Sequence, residues 1–533
     1  MRPAIGRDFE APGRSVALGI HGMAATSHPA ATLAAVDMLK AGGNAMDAAI
    51  AACAVQCVVE PGMTGIGGDC FALYAPRGGA AIHAFNGAGR TPASTDAAAL
   101  RAKGLTAIPA SSPAAVTIPG AVDAWCRLAA DHGSMALARL LEPAIALAGE
   151  GFAVTPRVAF DWAGCRDLLA ARPAAAAAYL PGGAAPSAGD VLRLPALART
   201  LKAIADHGRR AFYEGPVAAD MVATLQAEGG VHTMADFAAG AGAYVGPIRT
   251  RFRDYAVHEC PPPGQGIIAL LIMNILAQFP GSGDPLAPER LHIEIEAARL
   301  AYAVRNAILA EGSPATPHRL LSTAFAAELA ARIDPGRAAT DLPSFAGPEH
   351  RDTVYLTVVD RDRNVVSFIN SVFDTFGSGI VAADSGVLLH NRGMSFTLDP
   401  GHPNTLAPGR QPMHTIIPGM MTEGDRVAMA FGVMGGHFQA MGQAHLVAKV
   451  VDFGMNLQSA MALPRLFPVP GTPFVEAEAT LPAASRAGLE ARGHRFIPAD
   501  HPIGGAQAIW IDWERGVLVG ASEPRKDGLA LGY

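Results

Sequence analysis

The chain has 533 residues, half of them hydrophobic and 17% charged, so apolar material for a large buried core is plentiful and length alone allows roughly two to four domains. The formal net charge of −6 is small for this size, and no basic stripe carries interleaved aromatics, which argues against a nucleic-acid partner. The apolar stretch 267–275 is far short of the ~20 residues a membrane span needs, and Met1 to Glu10 lack an unbroken apolar core; a soluble, cytoplasmic protein without a membrane partner is expected.

In chain order, His28-Pro29 leads into an amphipathic helix over 30–40, Gly42-Gly43 stop it, and Asn44 caps a second helix through Val58. Gly65-Ile66-Gly67-Gly68 turns into a strand over 70–74; it lacks GxGxxG spacing and opens no helix, so no dinucleotide cofactor is implied. Residues 120–340 read as mostly helical, with Ala- and Pro-rich low complexity near 173–188 marking a surface loop or helix end. The exception is strand-like alternation over 245–258, followed by Pro261-Pro262-Pro263-Gly264-Gln265-Gly266 and an apolar helix. The stretch 343–350 has the composition of an exposed linker. Beyond it, 353–359 and 365–371 form a hairpin about the turn 360–364, with further strands at 379–382 and 427–431 and a helix over 438–453. A helix-rich first part and a strand-led second part suit sheets sandwiched between helix layers.

The six cysteines (Cys53, Cys57, Cys70, Cys126, Cys165, Cys260) form no CxxC pair and no zinc spacing, so buried thiols are expected. His292, Glu294 and Glu296 have metal-ligand chemistry, but helical phase spreads them around the axis of what reads as a surface helix; His258 beside Cys260 is a weak metal signal. No metal and no cofactor is expected.

Thr353 opens a strand, which by itself is ordinary β-propensity. Were the bond between Asp352 and Thr353 cut, Thr353 would carry both a hydroxyl and an α-amine, whose reference pKa of about 7.7–8.0 lets it take the hydroxyl proton near neutral pH. Gly435-Gly436, at a strand-to-helix turn, offers two uncrowded N–H groups toward a developing oxyanion, or is simply a tight turn.

These signals, with Gly42-Gly43-Asn44-Ala45, Asp47-Ala48-Ala49, Gly65-Ile66-Gly67-Gly68, Val116-Thr117-Ile118-Pro119-Gly120, Glu142-Pro143-Ala144, Pro261-Pro262-Pro263, Thr375-Phe376-Gly377-Ser378-Gly379-Ile380 and Met434-Gly435-Gly436, resemble in order and spacing the γ-glutamyltransferase (γ-glutamyl transpeptidase) family of N-terminal-nucleophile hydrolases over nearly the whole chain. The resemblance implies an α+β fold, an αββα four-layer sandwich. It also implies self-cleavage between Asp352 and Thr353 into a large fragment (1–352) and a small one (353–533) that stay together as a heterodimer, which can pair further. Thr353 is then nucleophile and base, Gly435 and Gly436 are oxyanion donors, and Ser371 stands where the family has a hydroxyl that orients the nucleophile.

The pocket departs from the family, which holds the γ-glutamyl α-ammonium with an Asn, a Gln or Glu, and an Asp. Alignment puts Phe373 at the Asn position, Arg392 (after Asn391) at the Gln/Glu position and Ser395 at the Asp position. His414 and Thr415 replace a serine pair for the α-carboxylate, and Ala88 replaces an Arg, with Arg90 near enough to reach in. An ammonium facing Arg392 instead of a carboxylate loses about 3–5 kcal/mol. Arg392, with His414 and Thr415, suits a carboxylate on a substrate without that ammonium, unless it is a surface partner of Asp374 or Asp399. The loop 401–412 is short beside the family's usual lid, which favours hydrolysis. Together with Gly520-Ala521-Ser522-Glu523-Pro524-Arg525-Lys526-Asp527-Gly528, these departures resemble the branch that includes oxamate amidohydrolase, with glutaryl-type acylases fitting nearly as well. The implied activity is hydrolysis of a small carboxylate-bearing amide; a γ-glutamyl hydrolase or transferase, or a processed but idle relative, are the alternatives.

Overall fold

A computed structural model describes residues 2–10, 12–313, 317–341 and 353–533; Asp352 and the linker 343–350 lie outside them. Two antiparallel seven-stranded sheets face each other. The first runs Leu529–Gly532, Met23–Thr26, Val354–Val359, Val365–Ser371, Asp69–Ala75, His83–Gly87, Ala243–Val245. The second runs Ala17–Gly19, Val517–Ser522, Gly505–Asp512, Arg426–Met434, Gly419–Glu423, Tyr255–Glu259, Ile248–Phe252. The strand-like stretch expected over 245–258 is thus three short strands divided between the two sheets.

Strand alternation builds the layers. Along Val354–Val359, Leu356 and Val358 pack with the helices Pro29–Lys40, Ala45–Val59, Ala121–His132 and Leu137–Glu150, whereas Tyr355 and Val359 pack against Met420, Ala430 and Ile509 of the other sheet. The far face of the second sheet is covered by Gly266–Leu276, Pro288–Ile308 and Phe438–Val451. Helices, two sheets and helices make the expected αββα sandwich. Among the described residues no helix is long and apolar enough to cross a membrane.

Local chemistry sets the element ends. Asn44 Oδ1 accepts from Met46 and Asp47 N–H (2.9 and 3.1 Å) while Asp47 Oδ2 accepts from Asn44 N–H (2.8 Å), a capping box that Asn44→Ala would break at about 1 kcal/mol. The helix it opens is buried at every position, which its run of Ala, Cys and Val side chains permits. Gly68 is required by proximity: a Cβ there would lie 2.2 Å from Ser371 O. The Gly65-Ile66-Gly67-Gly68 turn can therefore press against the end of the strand Val365–Ser371.

One expectation is overturned. The helix Pro288–Ile308 is no surface helix where its polar residues cluster: His292, Glu294 and Glu296 are all buried. Its charges are answered inside the protein, with Glu294 meeting Lys449 (2.7 Å), Arg290 (2.8 Å) and His445 (2.9 Å). His292 and Glu296 converge with His494 instead of diverging. Within the trio His292 Nδ1 and His494 Nε2 are 2.7 Å apart, and Glu296 accepts from Arg299 (2.8 Å) and Ala339 N–H (3.2 Å), while His494 Nδ1 is buried with no hydrogen-bond partner among the described residues. Burial and the nearby Arg299 push His494 down to about 3.

Candidate active site

Thr353 lies directly before the strand Val354–Val359, whose antiparallel partner Val365–Ser371 ends beside it. Its Oγ1 is 3.2 Å from Ser371 Oγ, and Ser371 Oγ also accepts from Phe373 N–H (2.9 Å). Gln439 Nε2 approaches Thr353 Oγ1 at 3.5 Å. The threonine is buried yet lines a cavity of about 480 Å³ together with Gly435, His437, Phe467 and Lys526.

Gly435 and Gly436 follow the central strand Arg426–Met434 of the second sheet, so the pairing of the sheets carries their turn to the same end of the inter-sheet core as Thr353. Both have left-handed backbone, φ +117° and +55°. Gly435 could not be otherwise, since a Cβ there would meet Gly504 Cα at 2.8 Å. The turn is held from behind: Gln265 Nε2 donates to Gly436 O (2.9 Å), Tyr302 OH donates to His437 O (2.5 Å), and Arg305 Nη1 lies 2.9 Å from both Gln265 Oε1 and His437 Nδ1.

Behind Ser371 lies a sealed polar group centred on Asp69, which is the Cα partner of Ser371 in the adjoining strand. Arg392 is fully buried, neither a surface residue nor a partner of Asp399. Its Nε donates to Asp69 Oδ2 (3.1 Å), its Nη1 to Thr415 Oγ1 (3.2 Å), and its guanidinium sits over the Phe373 ring at 4.5 Å. Its Nη2 is buried with no hydrogen-bond partner among the described residues. His390 Nδ1 and His414 Nε2 lie 3.4 and 3.8 Å from the same carboxylate oxygen. Burial lowers the pKa of Arg392 and of His390, with Asp69 pulling both back up. Burial also pushes Asp374 up to about 6, opposed by Asn391, whose Nδ2 donates to it (3.1 Å), and by the charge of Arg392.

Of the residues singled out in the sequence, Thr353, Ser371 and Phe373 are linked by hydrogen bonds, Gly435 shares the cavity with Thr353, and Arg392, Thr415 and His414 gather at Asp69. Asn391 is one step removed, holding Asp374. Two are not brought in. The Arg90 side chain is half exposed and tied to Glu311 (2.8 Å) and Gly409 O (2.7 Å). Ser395 is bound through its carbonyl to Asn404 (2.6 Å). His258 meets Thr422 (3.0 Å) and Cys260 is a buried thiol. Asp69, Gln265, Arg305 and His437 were missed; only Gln265, inside the proline-rich run, had a local signal.

The family signature described as Gamma-glutamyltranspeptidase matches residues 31–533. The chain belongs to the gamma-glutamyltranspeptidase family. It is 36% identical to the glutathione hydrolase-like YwrD proenzyme of Bacillus subtilis, over 97% of this chain and 99% of the relative. It is 35% identical to the oxamate amidohydrolase proenzyme of Klebsiella pneumoniae, over 96% and 98%. Among solved structures, a cephalosporin acylase from Bacillus halodurans superposes with a TM-score of 0.93 at 38% identity, covering 99% of each chain. The chain is therefore an N-terminal-nucleophile hydrolase of the gamma-glutamyltranspeptidase family, in the amidohydrolase and acyltransferase class. Its relatives carry proenzyme names, as expected for a two-fragment precursor.

Proposed function

We propose that this chain cuts itself before Thr353 and then, as a heterodimer of 1–352 and 353–533, hydrolyses the amide of a small carboxylate-bearing acyl group of the oxamate type. The observation that carries the reading is the Thr353 hydroxyl held 3.2 Å from Ser371 Oγ at a cavity that Gly435 also lines. In the uncut chain the hydroxyl attacks the carbonyl of residue 352, converting the amide to an ester that water opens. The freed α-amine then takes the hydroxyl proton as Oγ1 attacks the substrate carbonyl. The oxyanion is assigned to the Gly435 and Gly436 N–H groups, each such donor being worth about 2.7–4 kcal/mol in acyl transfer. The proton passes to the leaving amine, and water releases the acid from Thr353.

The acyl end is assigned to Arg392. Its open Nη2 donor, with Nε and Nη1 fixed by Asp69 and Thr415, suits a carboxylate and repels an ammonium. In the uncut chain Arg392 is fully buried and does not line the cavity, so its use as an anchor depends on the change that makes Thr353 an N-terminus. A second reading, a glutaryl-type acylase, is favoured by the cavity itself. Its about 480 Å³, walled by Phe438, Phe467, Val469 and Ile503, lies within the ~300–1,000 Å³ of sites for drug-sized ligands and exceeds what a two-carbon amide fills.

Hydrolysis of oxamate, a glutaryl amide and γ-glutamyl-p-nitroanilide, measured in parallel, tests the reading. The expected kcat/KM for the γ-glutamyl compound is at least ~100-fold below the better carboxylate amide, the loss matching an unpaired buried charge. A γ-glutamyl preference would discard the Arg392 assignment.

A further inference from the structure

The run Pro261-Pro262-Pro263-Gly264-Gln265-Gly266 ends in a side chain that touches both halves of the site. Gln265 is fully buried. Its Nε2 donates to Gly436 O and to Thr415 O, each at 2.9 Å, and its Oε1 accepts from Arg305 Nη1 at 2.9 Å. Its backbone N–H donates to His414 O (2.7 Å), and His414 N–H donates to Pro263 O (2.9 Å). The proline-rich run is thereby stitched to the stretch bearing His414 and Thr415, leaving the side chain to bridge outward to the glycine turn.

The chemistry of the amide explains why this residue type suits the place. An amide nitrogen has two N–H donors, and here two carbonyl oxygens receive them. A guanidinium only donates, so Arg305 fixes which end of the amide is oxygen. The turn it holds cannot stiffen itself: Gly435 and Gly436 have no side chains, and their left-handed backbone is open to many alternatives. An oxyanion donor displaced by about an ångström can lose ~100-fold in rate, so a rigid strut behind the turn matters.

We propose that Gln265 is a positioning residue that couples the Gly435–Gly436 turn to the Thr415–Arg392 pocket, holding the oxyanion donors and the acyl-end anchor at one spacing. The coupling rests on the roles proposed above for Thr353, the two glycines and Arg392. Gln265 touches no substrate; it acts through Gly436 O on the reacting carbonyl and through Thr415 O on the carboxylate anchor.

The test uses Gln265→Met, close in size but without hydrogen bonds, and Gln265→Glu, which keeps the Arg305 partner and removes the paired donors. Each is made alone and with Arg392→Ala. Self-cleavage is followed on denaturing gels, and kcat and KM are measured with whichever of oxamate or glutaryl-p-nitroanilide is turned over better. In the parent background Gln265→Met is expected to slow fragment formation and lower kcat by about 10–100-fold, and to raise KM about tenfold, a loss the size of one weakened charge-assisted hydrogen bond. With Arg392→Ala the kcat loss recurs while the KM increment disappears, because the anchor through which Gln265 acts is gone. Equal KM increments in both backgrounds, or self-cleavage and kcat at parent values, would overturn the coupling. Should Gln265→Met fail to fold by circular dichroism, Gln265→Glu carries the same comparison. Failure of the underlying reading is seen separately: Thr353→Ala would still yield two fragments, or Arg392→Ala alone would leave KM unchanged.

Discussion

Thr353 stands between two walls of opposite character. On the open side, the cavity is lined by charges that already answer one another: Asp161 is 2.8 Å from Arg157 and 3.3 Å from Lys526. On the closed side, Asp69 answers only part of Arg392, and one guanidinium nitrogen is left with no hydrogen-bond partner among the described residues. The charges that line a cavity are thus a poor guide to what it binds when they already pair with one another. The informative group is the buried donor whose partners do not use it up, because desolvation makes that donor costly until something accepts from it.

The contrast can be broken most severely at Thr353, the proposed nucleophile, which both walls share. Thr353→Ala is expected to give one uncut polypeptide without measurable amidase activity; two fragments on a denaturing gel would remove the basis of the comparison.

The next largest effect separates folding from binding at the closed wall. Arg392→Ala should raise KM for a carboxylate amide about 10–100-fold, more than it lowers kcat. It should also destabilise the fold by about 3–5 kcal/mol by stranding Asp69. Adding Asp69→Asn should restore most of the stability and none of the KM, as read by denaturant melts and steady-state kinetics. Recovery of both would make the pair purely structural.

Beneath the open wall, Glu60 accepts from Ser27 (2.6 Å) and Gln56 (3.1 Å), and burial pushes it up to about 7. Because its folded pKa exceeds its unfolded value of 4.5, its stabilising contribution is complete below pH 4.5 and is lost as pH rises through 7. Glu60→Gln should therefore match the parent near pH 4.5 and gain over it toward pH 8, by about 3 kcal/mol. Thermal melts across that range check it, and a parallel pH dependence in both proteins would refute it.

The smallest effect sharpens the contrast. Lys526→Met should leave KM for oxamate within about twofold, since Lys526 is already engaged by Asp161, which keeps Arg157 as a partner when the lysine is removed. A tenfold rise would move the carboxylate anchor to the open wall.

The fold was legible because its signals are local. Asn44 and Asp47 box a helix end, the hairpin about 360–364 alternates with period two, and Gly435-Gly436 punctuates a strand-to-helix turn. Thr353 and Ser371 end neighbouring strands that the alternation marks, but only the family resemblance singles them out as a pair. Asp69 was not legible as the partner of Arg392, because 323 residues separate them and only the strand order of the first sheet brings them together. Gln265 and Arg305 likewise meet the glycine turn only through packing of helices on the second sheet. The segment His292 to Glu296 was misread since polar letters on a helix suggest a wet face, whereas Glu294 finds its cations inside the protein.

The strand order has a further consequence for the matured enzyme. Val354–Val359 and Val365–Ser371 lie between Met23–Thr26 and Asp69–Ala75, so a break before Thr353 would leave two polypeptides interleaved within one sheet. Such a nick costs nothing while the protein stays native, but it erases the memory of single-chain assembly. Once melted, the halves must find each other by diffusion, so renaturation becomes second order and fails on dilution, whereas an unprocessed Thr353→Ala precursor would return at a rate independent of its concentration.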